Sequence, residues 1–129
     1  MSDPITQEVS FPAPPSKVYA AYVDAQQHGA FTGEKAEIDA TAGGIFSAYE
    51  GKVHGRMIEL VDGERIVQAW RSAAWPAGVF TLVRIDLAAD GAGTKLTLTH
   101  TGVPADQVPH IDGGWHRMYW DRLRDFLTS

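Results

Sequence analysis

Five histidines and sixteen acidic residues make up most of the chain's stock of groups that could move protons or hold a metal. His28, His54, His100, His110 and His116 fall in neither HxH nor HExxH spacing, and no cysteine assists them. A zinc-type site needs several convergent ligands, so no metal is expected. Asp24, Glu34, Glu37, Asp39, Glu50 and Glu59 are scattered and form no recognisable acid–base pair. The chain also lacks GxSxG, a Walker loop and a GxGxxG ahead of a helix. Hydrolase, kinase and dinucleotide-enzyme readings are therefore unsupported, and no cofactor is expected. His100 remains the one catalytic candidate. It shares a strand face with Leu96 and Leu98, as either a satisfied strand-end histidine or a proton carrier in a cavity. His116, beside Trp115, is expected to face solvent.

Aromatic residues offer a different chemistry. Phe31, Phe46, Trp70, Trp75, Trp115 and Tyr119 sit where a sheet and a helix would meet. They either fill a core or wall a pocket, since pockets are mostly apolar with a few polar groups. Gln68 lies between Ile66 and Trp70 on one strand face, and a buried amide there needs partners or a ligand. Gln68 and His100 are the expected polar anchors, with Phe46, Trp70, Trp115 and Tyr119 as walls and Phe31 as a further ligand contact. Trp75, next to Pro76, either caps a hairpin or sits at the pocket mouth.

The elements that must position these groups follow from periodicity. Ile5 to Phe11 alternates as a half-buried strand. Pro12, Pro14 and Pro15 end it and start a short helix with Val18, Ala21 and Tyr22 inward. A second short helix runs from Ala25 to about Phe31. Short strands follow: one at residues 36–39, Ile45 to Glu50, Val53 to Val61, Arg65 to Arg71, Val79 to Leu87, and Thr94 to Thr101. Gly43-Gly44, Asp62-Gly63-Glu64, Pro76-Ala77-Gly78 and Asp90-Gly91-Ala92-Gly93 punctuate them. Glu50 and Glu59 are each readable as facing a cavity, although a bulge near Gly51 would reverse them. Arg84 and Asp86 read as solvated surface. Gly113-Gly114-Trp115 then opens a helix to about Leu127, with Trp115, Met118, Tyr119, Arg122, Leu123 and Phe126 on one face. The order predicts an α+β fold: a curved antiparallel sheet of about six or seven strands, two short helices and a long C-terminal helix.

Composition bounds the partners. A chain of 129 residues is one domain by size. Its net charge of −5, without a basic cluster, disfavours nucleic acid. No apolar run approaches the roughly 20 residues that span a bilayer. Met1 to Phe11 has neither the basic start nor the apolar run of a signal peptide. The absence of cysteine excludes disulfides and fits a reducing compartment, so a cytoplasmic protein is expected. Monomer and homodimer both remain open.

Several stretches together carry a resemblance. They are residues 14–22, His28 with Phe31-Thr32-Gly33, Gly43-Gly44-Ile45-Phe46, residues 51–60 and 65–71, Trp75-Pro76, residues 94–100, Gly102-Val103-Pro104, Gly114-Trp115 and Tyr119-Trp120. In order and spacing they resemble the SRPBCC superfamily, with the helix-grip fold of START domains and the birch-pollen allergen. Within it the chain is most similar to the domain related to the C-terminal part of the activator of heat-shock-protein-90 ATPase. The resemblance implies the helix-grip fold and leaves three roles open. The leading one is a binding protein for a hydrophobic small molecule. The others are a chaperone-linked or stress-response interaction module and a cyclase- or aromatase-like enzyme using His100.

Overall fold

The computed structural model describes residues 3–129, so residues 1 and 2, where the stretch read for a leader begins, lie outside it. β1 (Ile5–Phe11) buries every second residue. Proline at 12, 14 and 15 has no N–H to continue a ladder, and α1 (Pro15–Val23) starts on Pro15. Asp24 ends α1 and caps α2 (Ala25–Thr32), its carboxylate accepting from the Gln27 N–H at 3.2 Å. Gly33, at φ 81°, closes α2 in the left-handed conformation.

A meander follows: β2 (Glu37–Ile38), β3 (Ile45–Ala48), β4 (Val53–Val61), β5 (Arg65–Ser72), β6 (Thr81–Asp90) and β7 (Gly93–Thr101). β1 pairs with β7, which completes a seven-stranded antiparallel sheet in the order β1-β7-β6-β5-β4-β3-β2. α3 (Val108–Trp115), one π turn (His116–Trp120) and α4 (Asp121–Thr128) form the C-terminal helix against its inner face. No helix among the described residues is long and apolar enough to cross a membrane.

Three boundaries differ from the sequence reading. β3 stops at Ala48 rather than Glu50, because Tyr49, Glu50 and Gly51 take φ of 52°, 55° and 89° and turn the chain out of the sheet. β6 is displaced from residues 79–87 to 81–90, since the turn at Gly78 (φ 84°) takes up Val79. The C-terminal helix begins at Val108, not Gly113. The two glycines that read as a start are mid-helix, where Gly113 leaves room for the Arg117 guanidinium.

Strand pairing sorts the side chains into rows. Ile5, His100, Val83, Gln68 and Met57 are cross-strand partners on the inner face. Phe46, Gly55, Trp70 and Thr81 form the next inner row, and Phe46 packs over the bare Gly55. Ile45, Arg56, Ala69 and Leu82 make an outer row. A bulge between Met57 and Glu59 turns Ile58 outward. Glu59 and Asp86 share Arg65 on that outer face, and Arg84 also pairs with Asp86. Glu50 is exposed, so neither of the glutamates considered for a cavity enters the interior.

The π turn settles how the helix sits. Residues five apart on an α-helix point about 140° away from each other, whereas the wider turn closed by i→i+5 hydrogen bonding brings them to about 50° apart, on one face. Trp115 and Trp120 accordingly stack at 5.2 Å with planes 15° apart, and both are buried. Trp120 Nε1–H donates to Gln7 Oε1 at 2.7 Å, and Gln7 Nε2 donates to the Asp112 backbone oxygen at 2.8 Å and to its carboxylate at 2.7 Å. One amide on β1 thus holds the helix on both sides of the turn. Gln7→Leu should cost about 2 kcal/mol in urea denaturation, because it strands a buried indole donor. Adding Trp120→Phe should recover part of that loss, since removing both partners of a buried hydrogen bond costs less than removing one.

Candidate functional site

A cleft of about 250 Å³ opens between the C-terminal helix and the β3–β5 end of the sheet. Trp70 and Ser72 of β5, Val53 of β4 and Tyr49 form its sheet side. Ile111, Gly114, Trp115, Met118 and Tyr119 form its helix side, with Glu34, Lys52, His110 and Arg117 around the rim. Lys52 pairs with Glu34 at 3.0 Å, while Arg117 has no acidic partner within salt-bridge distance among the described residues. Gly114 keeps the helix wall open. A Cβ there would meet no atom within 4 Å.

Of the residues singled out from sequence, Trp70, Trp115 and Tyr119 line this cleft. Trp115 lies 5.7 Å from Trp70 and 4.9 Å from Tyr119, ring centre to ring centre. Trp75 packs edge-on behind Trp70 at 5.6 Å. Its loop is fastened by Arg71, which donates to the carbonyl oxygens of Trp75, Pro76 and Val79. Phe31 contacts Tyr119 and Phe126 from α2. Phe46, Gln68 and His100 are buried beside the cleft, not in its wall. Gln68 finds its partner in the protein, accepting from the Tyr22 hydroxyl at 2.9 Å. His116 is exposed.

His100 is fully engaged. An indole N–H only donates, so Trp115 Nε1–H fixes His100 Nδ1 as an acceptor, at 3.1 Å. Nε2 therefore carries the proton and donates to Thr81 Oγ1 at 2.7 Å, and that hydroxyl donates to the Trp70 carbonyl at 2.8 Å. The neutral ring satisfies every member of the chain, and neither nitrogen is free to meet a substrate.

Four further residues shape the site without having been chosen as site residues from the sequence. Tyr49 spans cleft and helix: its hydroxyl donates to the Met118 carbonyl inside the π turn. Gly114 leaves the opening. Tyr22 and His28 build a buried polar cluster under Tyr119. His28 Nδ1–H donates to the Tyr22 carbonyl at 2.8 Å, which leaves Nε2 to accept from the Tyr119 hydroxyl at 3.3 Å. Burial pushes the phenols of Tyr22 and Tyr119 well above their ordinary range and that of Tyr49 up to about 12. It lowers the His28 imidazole, against the opposing effect of the bond that His28 donates to the Tyr22 carbonyl. No group of three or more His, Asp or Glu among the described residues could hold a metal ion.

Burial pushes His100 down to about 4. An unfolded imidazole titrates near ~6.5. Between those values the unfolded chain takes up a proton that the folded chain refuses, so the stability from neutral His100 is intact above pH ~6.5 and falls as the pH drops. The loss should be on the order of 3 kcal/mol by pH 4. Urea midpoints measured from pH 7 to pH 4 should fall less steeply in His100→Gln than in the unsubstituted chain. Parallel curves would contradict a depressed His100.

Comparison with known proteins places this architecture. A family model described as activator of Hsp90 ATPase homolog 1-like protein matches residues 12–128. The activator of 90 kDa heat shock protein ATPase homolog 1 from Homo sapiens is 29% identical over 120 residues, covering 93% of this chain and 36% of that protein. The corresponding homologue from Dictyostelium discoideum is 33% identical over 115 residues, covering 88% of this chain and 30% of that protein. The chain thus spans about a third of the length of these curated relatives. The crystal structure of an HSP90 activator from Plasmodium falciparum superposes with a TM-score of 0.88, covering 96% of each chain at 24% identity, a likeness of fold. Matched from the end of β1 to the last turn of α4, in the helix-grip architecture that its sequence resembles, the chain belongs to the activator of Hsp90 ATPase homolog 1-like family.

Proposed function

We infer that this chain binds a small, largely apolar, planar molecule between the C-terminal helix and the sheet. The observation that carries this reading is the ring-lined cleft that Gly114 keeps open. A core that merely needed filling would gain from a side chain at this position, and every residue but proline is also a better helix former than glycine. The cleft volume of about 250 Å³ lies just below the usual range of about 300–1,000 Å³ for small-molecule pockets, which suits a compact ligand. Trp70, Trp115 and Tyr119 supply flat apolar walls, and the charged rim leaves one end of the ligand wet.

The test starts with protein purified from cells, gently denatured and searched by mass spectrometry for a released molecule. Gly114→Leu should fill the cleft, raise stability by up to about 1 kcal/mol through helix propensity, and release nothing. A variant that still carries the same molecule would remove the cleft from consideration.

The outer face of the sheet favours a second reading, contact with a 90 kDa heat-shock ATPase as the names of the relatives suggest. Ile45, Ile58, Phe80 and Leu82 are 61%, 51%, 52% and 45% exposed, and all four lie on the sheet or beside β6. Phe80 and Leu82, two residues apart at the start of β6, are neighbours on the outer side, and an exposed apolar pair of this kind supports an interaction surface. Leu82→Glu with Phe80→Ser should abolish capture of that ATPase from a lysate, while Gly114→Leu should leave capture intact. Capture that survives the outer-face pair would exclude this surface.

A further inference from the structure

The charges at the mouth of the cleft do not balance. Glu34 is the one acid among the lining residues, and Lys52 occupies it at 3.0 Å. Arg117, on the helix side, is left over. Every other arginine holds a carboxylate or a carbonyl oxygen. Arg65, Arg84 and Arg124 pair with acids, and Arg56, Arg71 and Arg122 donate to backbone oxygens. The Arg117 guanidinium has neither partner among the described residues, in a chain with 16 acidic residues against 11 basic ones. The backbone makes room for it. The guanidinium lies folded back over Gly113, where a Cβ would stand 2.8 Å from its Nη1. Gly113 thus seats the cation one residue from the opening that Gly114 leaves. Consecutive glycines weaken a helix, and this mouth uses both of them. His110, one turn earlier, adds an exposed ring to the same rim.

We propose that the ligand is an aromatic acid, with a compact ring system in the cleft and one carboxylate at the mouth, held by Arg117. This rests on the cleft being a binding site. A guanidinium presents a planar fork of donors that matches a carboxylate. The ligand's charge stays at the wet rim, so binding does not require burying it. One unpaired cation at the mouth suits a monoanion. A dianion such as a phosphate ester needs a second, and Lys52 is committed to Glu34, whose own charge repels a dianion more than a monoanion.

The experiment compares 2-naphthoate with 2-naphthamide, which share a shape and differ in charge, by amide-resolved NMR titration at neutral pH. Naphthoate should bind roughly three- to tenfold tighter, between the worth of an exposed ion pair and that of a charged hydrogen bond. It should move the amide resonances of Gly113 and Gly114 and the Nε–H of Arg117. Its advantage should shrink in about 0.5 M salt. Arg117 is exposed, so its variants should fold. Arg117→Gln should bring the two probes to equal affinity, and Arg117→Lys should keep part of the preference. Gly114→Leu should abolish the binding of both. Equal affinity in the unsubstituted protein would overturn the acid and leave the cleft as a binding site. A preference that survives Arg117→Gln, or naphthoate binding that survives Gly114→Leu, would overturn the proposal by placing the carboxylate elsewhere. Failure of both probes to bind at millimolar concentration would overturn the acid and the binding reading together.

Discussion

The placement of two indole N–H groups, five residues apart on one helix, governs the rest of the architecture. Trp115 and Trp120 are both buried against the sheet, and each must find an acceptor there. An α-helix cannot present both to the same surface; a single π turn can. The acceptors, His100 and Gln7, come from β7 and β1, the strands that close the sheet against each other. The pairing of first and last strands and the seating of the helix are thus one constraint. Once Trp115 is held at His100, Tyr119 is brought onto the α2 cluster of His28 and Phe31. The helix then runs on over α2 and β1, and the cleft opens beside its earlier residues, 110–119, on the β3–β5 side.

The π turn has a local cost that the other end of the sheet meets. Widening a helical turn disturbs its carbonyl ladder, and the Tyr49 hydroxyl donates to one of those carbonyls, Met118 O. Tyr49 reaches it from the point where the chain leaves β3 through left-handed residues, two of them not glycine. Such conformations are strained for side-chain-bearing residues. The Arg122 guanidinium, 6.0 Å from the Tyr49 ring, and its bond to the Thr32 carbonyl at 2.7 Å tie the same region to α2. Strain at residues 49–50, the π turn and the cleft wall therefore share one side chain.

The sequence made much of this legible. Alternation in β1, β5 and β7 identified the inner face correctly, because one face of each strand is buried and the period-two pattern is then unambiguous. The helix-grip order followed from the position of the turn residues. Trp120 was invisible as a core residue, since periodicity assumes 3.6 residues per turn and a π turn breaks that rule at the residue that matters. The glycine pair at 113–114 read as a helix start because glycine lowers helix propensity; here Gly114 serves an opening rather than a boundary. Strand faces placed Gln68 and His100 inside but could not separate wall from core, since both point inward. That distinction depends on which inward groups the protein itself satisfies: Tyr22 reaches Gln68 and Trp115 reaches His100, and neither contact has a sequence signature.

The cleft and the exposed Phe80–Leu82 pair are held apart by the pleat of one strand. On β5, Gln68 and Trp70 point inward, while Ala69 between them joins the outer row with Leu82. A side chain changed on one face leaves the packing of the other in place, because successive residues of a strand share no neighbours. Arg71 is the exception. It is buried, its guanidinium holds the carbonyls of the loop carrying Trp75, and it lies 5.7 Å from the ring of Phe80. Trp75 backs the cleft wall at Trp70, and Phe80 belongs to the exposed apolar set. The loop between β5 and β6 is thus where the two faces meet. The bonds of one arginine to three carbonyls fasten it, together with its own turn hydrogen bonds at Trp75 and Val79.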